Sequence, residues 1–251
     1  GGGAFADILD GTAWAAGMSV TGVPANSNPA RVINMSLGGN IGQACPAEVN
    51  SFFGTLATNG VIVVVAAGND NIDAVHTFPA NCSNVITVGA TGPLNTRAPY
   101  SNYGAAIDVM ASGGDVTRSF QVGGSAYPAG VLSTVAEVDE VGDLYASYTF
   151  YQGTSMASPH IAGIAALMLA HDPGLTFNDV RANLLLASTP LNASECQRPS
   201  GNDCGAGLVD AAKAVVTGSA PPPPPVQPPA TGNLTTYVAA LRCTVGCYDF
   251  D

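Results

Sequence analysis

The sequence predicts an α/β protein built around a mostly parallel, doubly wound sheet. Short runs of apolar, β-branched residues alternate along the chain with longer segments in which apolar residues recur at the helical period. The short runs have the length of strands, and their lack of alternation is typical of strands that are covered on both faces. Strands and helices that alternate in this way form a parallel sheet with helices on both sides.

The N-terminal elements are a helix, a strand and a second helix. Apolar residues have helical spacing over Phe5–Ala16, and Gly17 provides a C-terminal stop. A short buried strand follows at Val32–Met35. The second helix is expected over Pro46–Thr58, because proline suits the first helical turn and Gly60 ends the pattern.

Three further strands and two helices complete the predicted fold. Val61–Ala66 is almost entirely β-branched, the pattern of a central parallel strand, and similar runs occur at Val85–Val88 and, more weakly, at Ile107–Met110. Met156–Leu169 is apolar on every face, so we expect a helix buried in the middle of the molecule. Thr176–Ala187 is amphipathic, and its first residue is a suitable N-cap.

The composition describes an acidic, compact protein. Lys and Arg number 7 against 18 Asp and Glu, so the formal charge is −11. This balance argues against a nucleic acid as partner, because no basic stripe is available to contact phosphates. Only 10% of the residues are charged and 47% are hydrophobic, which excludes a disordered chain. The apolar runs are far shorter than a membrane span. We expect a monomer that neither enters a membrane nor binds nucleic acid.

Six cysteines, an even number, indicate disulfides and an oxidising compartment. No C-x-x-C pair and no histidine at zinc-finger spacing occurs, so a zinc site is not expected. Cys196 and Cys204 bracket a short loop, and we expect them to pair. Cys45 and Cys82 could bridge a helix start to the loop before a strand, although a cysteine upstream of this sequence could compete for Cys45. Free buried thiols are the alternative.

The segment Gly153–His160 opens the apolar helix and carries the candidate nucleophile. Gly153 permits a sharp turn, and Ser155 follows where the unpaired amides of a helix start point outward. A hydroxyl in that position can attack a carbonyl while neighbouring N–H groups stabilise the oxyanion. Taken alone, an isolated serine in this position would be interpreted as an N-cap rather than as a nucleophile.

Three stretches, in order along the chain, resemble the motifs of subtilisin-like serine proteases. Residues 153–163, G-T-S-M-A-S-P-H-I-A-G, resemble the nucleophile motif of that family. Residues 32–39, V-I-N-M-S-L-G-G, resemble the strand along one wall of the substrate cleft, and residues 63–69, V-V-V-A-A-G-N, the strand that ends at the oxyanion-hole asparagine. Weaker similarity occurs at 100–104 and 204–211. The resemblance implies a three-layer subtilisin-like fold and a secreted bacterial endopeptidase.

By that resemblance, Ser155 is the acylating nucleophile, and Asn69 donates its side-chain amide to the oxyanion beside the Ser155 N–H. Without Ser155, Asn69 would be interpreted as an ordinary turn residue. The resemblance also implies two walls of the primary specificity pocket, both small and apolar, whose backbone edges pair with an extended peptide substrate. We therefore expect a broad preference, with apolar or aromatic residues favoured. The walls are Ser36, Leu37 and Gly38 on one side and Ala66, Ala67 and Gly68 on the other.

The sequence departs from the family pattern at the acid and the base of the catalytic triad. The family order is Asp, His, Ser, and no Asp-Gly strand end or His-Gly-Thr-His stretch occurs before Val32. We expect His160 to be a packed structural residue, His171 to lie at a helix C-terminus, and His76 to be exposed in a loop. Either the sequence is truncated or a separate chain supplies the acid and the base. We expect a chain that is truncated at both ends, lacks the N-terminal part of the fold and is inactive by itself.

The composition changes abruptly near residue 218. Residues 1–217 are expected to form the catalytic domain, and 218–232 a stiff proline-rich linker. Residues 233–251 would be either the start of an accessory module similar to a PKD β-sandwich or a disordered tail. Catalysis needs no cofactor, but the resemblance implies structural calcium, which the oxygen-rich loops could hold; equally, those residues could be solvated turns. The loop residues concerned are Asp70, Asn71, Asp73 and Asp108.

Three other functions fit parts of the sequence. A catalytically inactive relative that serves as a binding module would be expected to have lost Ser155 or Asn69, and both are present. An esterase or acyltransferase on the same fold would turn over esters without hydrolysing casein. A carbohydrate- or surface-binding role would depend on the tail alone.

Overall fold

A computed structural model of the chain describes residues 4–139, 141–199 and 201–216. Its centre is a six-stranded sheet in the order β1-β3-β5-β6-β12-β11, in which only β11 is antiparallel to its neighbour. The predicted fold class, a largely parallel sheet in a mixed α/β protein, is thus confirmed. The strands are β1 (Val32–Met35), β2 (Gly39–Asn40), β3 (Ile62–Ala66), β4 (Thr77–Phe78), β5 (Ile86–Thr91), β6 (Val109–Ser112), β7 (Asp115–Val122), β8 (Ser125–Ala129), β9 (Val131–Val138), β10 (Leu144–Tyr151), β11 (Ser188–Thr189) and β12 (Leu208–Val209).

Helices cover both faces of this sheet. The helix α3 packs on β1, β3, β5 and β6, while α2 packs on β3 from the other side. Along β3, Val64 lies in the core cluster under α3, and Val63 lies in the cluster under α2. Because both faces of the strand are covered, all five of its residues are buried, which explains the uninterrupted apolar run. The helices are α1 (Phe5–Ala15), α2 (Ala47–Thr58), α3 (Thr154–His171), α4 (Phe177–Leu186), α5 (Ala193–Cys196) and α6 (Ala211–Val216).

The predicted elements of the sheet region have the positions expected, with ends shifted by a few residues. Pro46 is the residue that precedes α2 rather than its first helical residue. The N-cap predicted for α4 is present as a full capping box: the Thr176 hydroxyl accepts the Asp179 N–H at 3.3 Å, and the Asp179 carboxylate accepts the Thr176 N–H at 2.9 Å.

One expectation about α3 is wrong, because the helix is not buried on every side. Ala157, Ile161 and Ala165 face the core, but Leu167 is 57% exposed. Within the residues that the structure describes, the sheet covers one side of this helix and no element packs over the side that carries Leu167. Uniform apolarity therefore did not translate into uniform burial. The other exposed residues of that side are Pro159, His160, Gly163, Ala166 and Ala170.

Between β6 and α3 lie two antiparallel hairpins that the sequence did not predict. β7 pairs with β8, and β9 pairs with β10 through eight residue pairs without a bulge. We call residues 115–151 the hairpin arm. Most of its residues are exposed, so these strands carry neither the continuous apolar run of a buried parallel strand nor a clean alternation of apolar and polar residues.

The structure contains both disulfides expected from the sequence, Cys45–Cys82 and Cys196–Cys204. The first joins the segment before α2 to the loop before β5, and the second closes the loop after α5. The predicted linker 218–232 and tail 233–251 lie outside the described residues, as do two further cysteines, Cys243 and Cys247.

Candidate active site

The turn before α3 carries the candidate nucleophile and is held by hydrogen bonds. Gly153 has φ +150°, a backbone conformation that favours glycine, and its N–H is shared between the carbonyl of Gly113 and the hydroxyl of Tyr100, each at 3.0 Å. The Tyr100 hydroxyl in turn donates to the carbonyl of Gly114 at 2.7 Å. Burial raises the pKa of Tyr100, so the phenol keeps the proton that this bond needs.

Ser155 is the second residue of α3 and is half-buried. The amides of Met156 and Ala157 both donate to the Gly153 carbonyl, at 3.0 and 3.3 Å. The Ser155 N–H has no acceptor among the residues that the structure describes, as expected for the first turn of a helix. The hydroxyl and this free amide belong to one residue, so an oxygen that becomes negative as the hydroxyl attacks has a donor close by.

Asn69 lies across the same turn, and Thr154 fixes the orientation of its amide. The Asn69 Oδ1 accepts both the Thr154 N–H, at 2.8 Å, and the Thr154 hydroxyl, at 2.9 Å. The Thr154 hydroxyl also accepts the Gly68 N–H at 3.1 Å. Because Oδ1 is occupied, Nδ2 is left with no acceptor in the described chain, and it lies 3.4 Å from the position of a Cβ placed on Gly153. Two donors, the Asn69 Nδ2 and the Ser155 N–H, are therefore unpaired at this turn.

The loop that carries Asn69 is organised by Asn102, which is fully buried. Its Oδ1 accepts the amides of Asp70 and Ile72 at 3.0 and 3.1 Å, and its Nδ2 donates to the carbonyl of Ala67 at 2.9 Å. Gly68 has φ +102°, and a Cβ on it would lie 2.3 Å from the Asn102 amide. The close approach of the two residues thus requires glycine at position 68.

Pro159 explains how Ser36, named for the first pocket wall, is attached to the residue of the candidate nucleophile. Proline has no N–H, so it cannot donate to the carbonyl of Ser155 one helical turn earlier. The Ser36 hydroxyl donates to that carbonyl instead, at 2.8 Å. Asn34 connects the same two elements a second time, since its Nδ2 donates to Ser36 Oγ at 2.8 Å and its Oδ1 accepts the Ser158 hydroxyl at 2.6 Å. The end of β1 is thereby fixed to the start of α3.

The residues named from sequence for the two pocket walls differ in accessibility. Ser36, Leu37 and Gly38 are half-buried and follow β1. On the other side Gly68 is half-buried, whereas Ala66 is 5% exposed and Ala67 is fully buried in a core cluster. Gly68 is thus the accessible residue of the three named for the second wall, although its N–H is bonded to the Thr154 hydroxyl and its carbonyl to the Asn102 N–H.

None of the three histidines is placed as a base for Ser155. The Nδ1 of His160 lies 2.7 Å from the Met156 carbonyl oxygen, and the ring is exposed, so the expectation of a packed His160 is wrong. His76 is exposed as expected, and His171 is the last residue of α3. No hydrogen bond joins the Ser155 side chain to any histidine within 4–139, 141–199 and 201–216.

Comparison with known proteins shows to which family the chain belongs. The profile of the subtilase family, peptidase S8, matches residues 1–205, and this stretch includes Asn69, Thr154 and Ser155. The chain belongs to the subtilase family. It is 39% identical over 216 residues to an extracellular basic protease of Dichelobacter nodosus and 40% identical over 214 residues to an extracellular protease of Xanthomonas campestris.

Solved subtilases have the same architecture. A structure of proteases from Pseudoalteromonas arctica is 43% identical, with a TM-score of 0.72 over 85% of this chain and 59% of that one. A cold-adapted subtilisin-like serine proteinase is 28% identical, with a TM-score of 0.57 over 80% of this chain and 60% of that one. The matches to the Dichelobacter and Xanthomonas proteins cover 85% of this chain but only 32% and 33% of theirs, so this subtilase chain spans about a third of those relatives.

Three of the four residues named as calcium candidates, Asn71, Asp73 and Asp108, are engaged by other groups in this subtilase chain. The Asn71 Oδ1 accepts a bond from the guanidinium of Arg97 at 2.9 Å, and Asp108 is paired with the guanidinium of Arg181, whose Nε lies 2.8 Å from its Oδ1. The Asp73 carboxylate caps a short 3-10 helix. Across the described residues, no group of three or more His, Cys, Asp or Glu is arranged to hold a metal ion. No described helix is long and apolar enough to span a bilayer.

Sequence reasoning missed three positioning residues of this subtilase site: Thr154, Asn102 and Tyr100. All three stand inside stretches that resemble the family, 100–104 and 153–163, but the resemblance assigned none of them a function. A buried polar residue in a short motif is the signal that could have found Thr154 and Asn102, because both are fully buried and each makes several hydrogen bonds.

Proposed function

We propose that these residues form the nucleophile-bearing part of a serine endopeptidase. The hydroxyl of Ser155 attacks the carbonyl carbon of a peptide bond, and the negative oxygen of the tetrahedral intermediate accepts hydrogen bonds from the Asn69 Nδ2 and the Ser155 N–H. The single observation that carries this proposal is the pair of unpaired donors beside Ser155, with the Asn69 amide oriented by Thr154. Membership of the subtilase family and the protease names of the relatives support it.

A base must take the proton of Ser155, and we propose that it comes from outside these 251 residues. In a serine protease triad a histidine accepts the hydroxyl proton and later gives it to the leaving amine, and a carboxylate orients that histidine. Since no described histidine is bonded to Ser155, this chain by itself is expected to hydrolyse peptides only at a trace rate. Full activity would require the complete polypeptide.

The proposed substrates are proteins and peptides bound in an extended conformation. The half-buried backbone at Gly38 is the part of the two walls proposed for strand-like pairing, which gives affinity with little sequence choice. The N–H and the carbonyl of Gly68 are already bonded, to the Thr154 hydroxyl and the Asn102 N–H. No charged side chain is present in either wall, so a broad preference with apolar or aromatic residues before the scissile bond is expected. A peptide library cleaved only after Lys or Arg would contradict this preference.

Further parts of the proposal concern the environment of the enzyme. Relatives named extracellular proteases and the two disulfides support secretion into an oxidising compartment. We propose a monomer with no nucleic-acid partner, consistent with a charge of −11. A structural calcium ion, implied by the family resemblance, would have to be held by residues other than Asn71, Asp73 and Asp108. Thermal melting with and without EDTA tests for it.

The experiment that tests the proposal is hydrolysis of unfolded casein by the complete polypeptide and its Ser155→Ala variant. We expect the substitution to lower kcat by a factor on the order of 10⁶, the magnitude that loss of the nucleophile has in subtilisin. Ser51→Ala, on the exposed face of α2, is the matched control and should retain the parent rate. Casein hydrolysis by Ser155→Ala at the parent rate would refute the proposal.

A further inference from the structure

The β9–β10 hairpin has one face that is apolar and exposed along its length. Residues directly opposite each other in an antiparallel pair point to the same face, and the two faces alternate along each strand. The register therefore assigns every second residue pair to this face. The four pairs are Leu132–Phe150, Thr134–Tyr148, Ala136–Ala146 and Val138–Leu144.

We call the exposed apolar residues of this face the apolar strip. Leu144 is 73% exposed, Tyr148 70%, Val138 61% and Leu132 54%. In an antiparallel sheet the apolar face normally packs on the core and the polar face meets water, whereas here the apolar face meets water. A contiguous exposed apolar surface of this kind marks an interaction site rather than ordinary surface. The strip consists of Leu132, Ala136, Val138, Leu144, Ala146 and Tyr148.

The base of the strip continues onto the neighbouring hairpin through an aromatic cluster. The ring of Phe150 lies 6.3 Å from the rings of both Phe120 and Tyr127, measured between centroids. These contacts join the two hairpins, yet Phe120 is 42% exposed and Tyr127 is 40% exposed. The cluster therefore adds accessible aromatic surface where the strip meets the body of the molecule.

The strand that carries the strip ends shortly before the turn of the candidate nucleophile. Phe150 stands five residues before Ser155 in the chain, and Gln152 between them accepts the Val116 N–H at 2.7 Å. From Phe150 to Leu144 this face of β10 spans seven residues, or about 20 Å of extended strand. The base of the strip is therefore close in the chain to the turn that carries Ser155, and a long substrate bound at Ser155 has the strip as a neighbouring surface.

The charge of the hairpin arm indicates which kind of molecule could bind the apolar strip. Asp139 and Asp143 lie at the outer end of the hairpin, and Glu137 lies on the face opposite the strip, paired with Tyr145. Arg118 is the single Lys or Arg in residues 115–151, and it is paired with Asp115. A second copy of this acidic chain would bring like charges together at the strip, which is unfavourable, whereas a basic partner is attracted.

We propose that the apolar strip is an exosite that binds an extended, apolar segment of a protein substrate carrying basic residues, at a distance from the bond that is cut. The inference rests on the proposed endopeptidase function, because the segment that binds the strip is part of the same polypeptide substrate that is bound at Ser155. Side chains of the bound segment contact the strip, and its backbone can pair with an open edge of the hairpin. A substrate of four or five residues fills the cleft alone and gains nothing from the strip.

The test is binding of fluorescein-labelled, reduced and carbamidomethylated lysozyme, an unfolded basic polypeptide, to the complete polypeptide carrying Ser155→Ala. Fluorescence anisotropy should show a Kd that rises about tenfold or more when Leu132→Thr, Leu144→Thr and Tyr148→Thr are added, since they remove three apolar contacts. Leu186→Gln is the matched control, because Leu186 is 78% exposed at the end of α4, outside the arm. It should bind like the parent.

Circular dichroism and thermal melting check that the triple variant is folded; if it is not, Tyr148→Lys takes its place and should weaken binding in the same direction. In the active enzyme, the triple variant should hydrolyse a blocked tetrapeptide anilide at the parent rate and show a raised KM for the unfolded lysozyme. A parent enzyme that leaves the anilide intact defeats the proposed function, while the anisotropy assay still reports on the strip.

Three results would overturn the inference. The first is equal affinity of the triple variant and the parent for unfolded lysozyme. The second is equal affinity of the parent for unfolded lysozyme and for unfolded α-lactalbumin, an acidic polypeptide treated in the same way. The third is a parent protein that does not bind lysozyme but forms a dimer in analytical ultracentrifugation, while the triple variant is a monomer. A second copy of the chain would then be the molecule that binds the strip.

Discussion

The parallel sheet and the hairpin arm are both adjacent to the turn before α3, but they differ in which side chains are buried. All five residues of β3 are buried, whereas seven of the eight residues of β7 are exposed. Polar side chains near the sheet, those of Thr154 and Asn102, are fully buried and fully hydrogen-bonded. Large apolar side chains of the arm, such as Tyr148, are left in water. Rigid positioning of the nucleophile and exposure of contact surface thus belong to separate parts of the chain.

This separation has a physical basis. A reacting group needs a fixed geometry, which buried and mutually satisfied hydrogen bonds provide. The network of Asn34, Ser36 and Ser158 and the network of Asn69, Thr154 and Gly68 both end on the first turn of α3. A surface that binds unfolded chains needs accessible apolar area instead. Two-stranded hairpins can present such area without removing apolar residues from the core of the sheet.

Loss of the Asn69 amide is expected to have the largest effect. Asn69→Ala in the complete polypeptide should lower kcat for a peptide anilide by a factor on the order of 10²–10³, a magnitude borrowed from subtilisin itself, with KM nearly unchanged. The reason is that Nδ2 contacts the oxygen only after it has become negative. Asn59→Ala, at the exposed end of α2, is the control. An equal loss in both variants, or a change confined to KM, would remove Asn69 from the site.

Removal of the disulfides should destabilise the sheet region and leave the arm unchanged. The loops they close have sequence separations of 37 and 8. Chain entropy then predicts a loss of about 4 kcal/mol for Cys45→Ala with Cys82→Ala, and about 2.5 kcal/mol for Cys196→Ala with Cys204→Ala. Urea unfolding measures both, and hydrogen exchange shows where protection is lost. A larger loss for the shorter loop would contradict this ranking.

Thr154 is expected to act as a positioning residue. Thr154→Val keeps the shape of the side chain but removes the hydroxyl that donates to Asn69 and accepts from Gly68. With two hydrogen bonds lost at about 1 kcal/mol or less each, kcat should fall roughly tenfold while KM stays near the parent value. Thr154→Ser restores the hydroxyl and should restore most of the rate. If Thr154→Ser is as slow as Thr154→Val, the methyl group and not the hydroxyl is responsible.

The smallest effect concerns stability of the arm. Val64→Thr and Val138→Thr are the same chemical change, but Val64 is fully buried in β3 and Val138 is 61% exposed in β9. A hydroxyl buried without a partner should lower the free energy of unfolding by about 1–3 kcal/mol, while the exposed change should stay within about 0.5 kcal/mol. Urea titration of the two variants compares them directly. Equal losses would mean that the arm is packed in solution.

The sheet region was predictable from sequence and the arm was not, for a reason visible in particular residues. Burial on both faces left Val63, Val64 and Val65 as one apolar run, and a cap residue marked the start of α4. Most residues of the hairpin arm are exposed, so they are not required to be apolar. The strands β7 to β10 therefore show neither a continuous apolar run nor a regular alternation of apolar and polar residues. Family motifs led to the prediction of Ser155 and Asn69 as site residues, which stays a prediction. The hydrogen bonds by which Thr154 orients Asn69 could not be predicted from the sequence, because they join residues 85 positions apart.

Reaction with a fluorophosphonate, followed by peptide mapping in a mass spectrometer, tests the central claim most directly, because the reagent bonds to an activated serine. In the complete polypeptide we expect one labelled site, on the peptide that contains Ser155, and no label after Ser155→Ala. Labelling of another serine at the same rate, with Ser155 unmodified, would contradict the account.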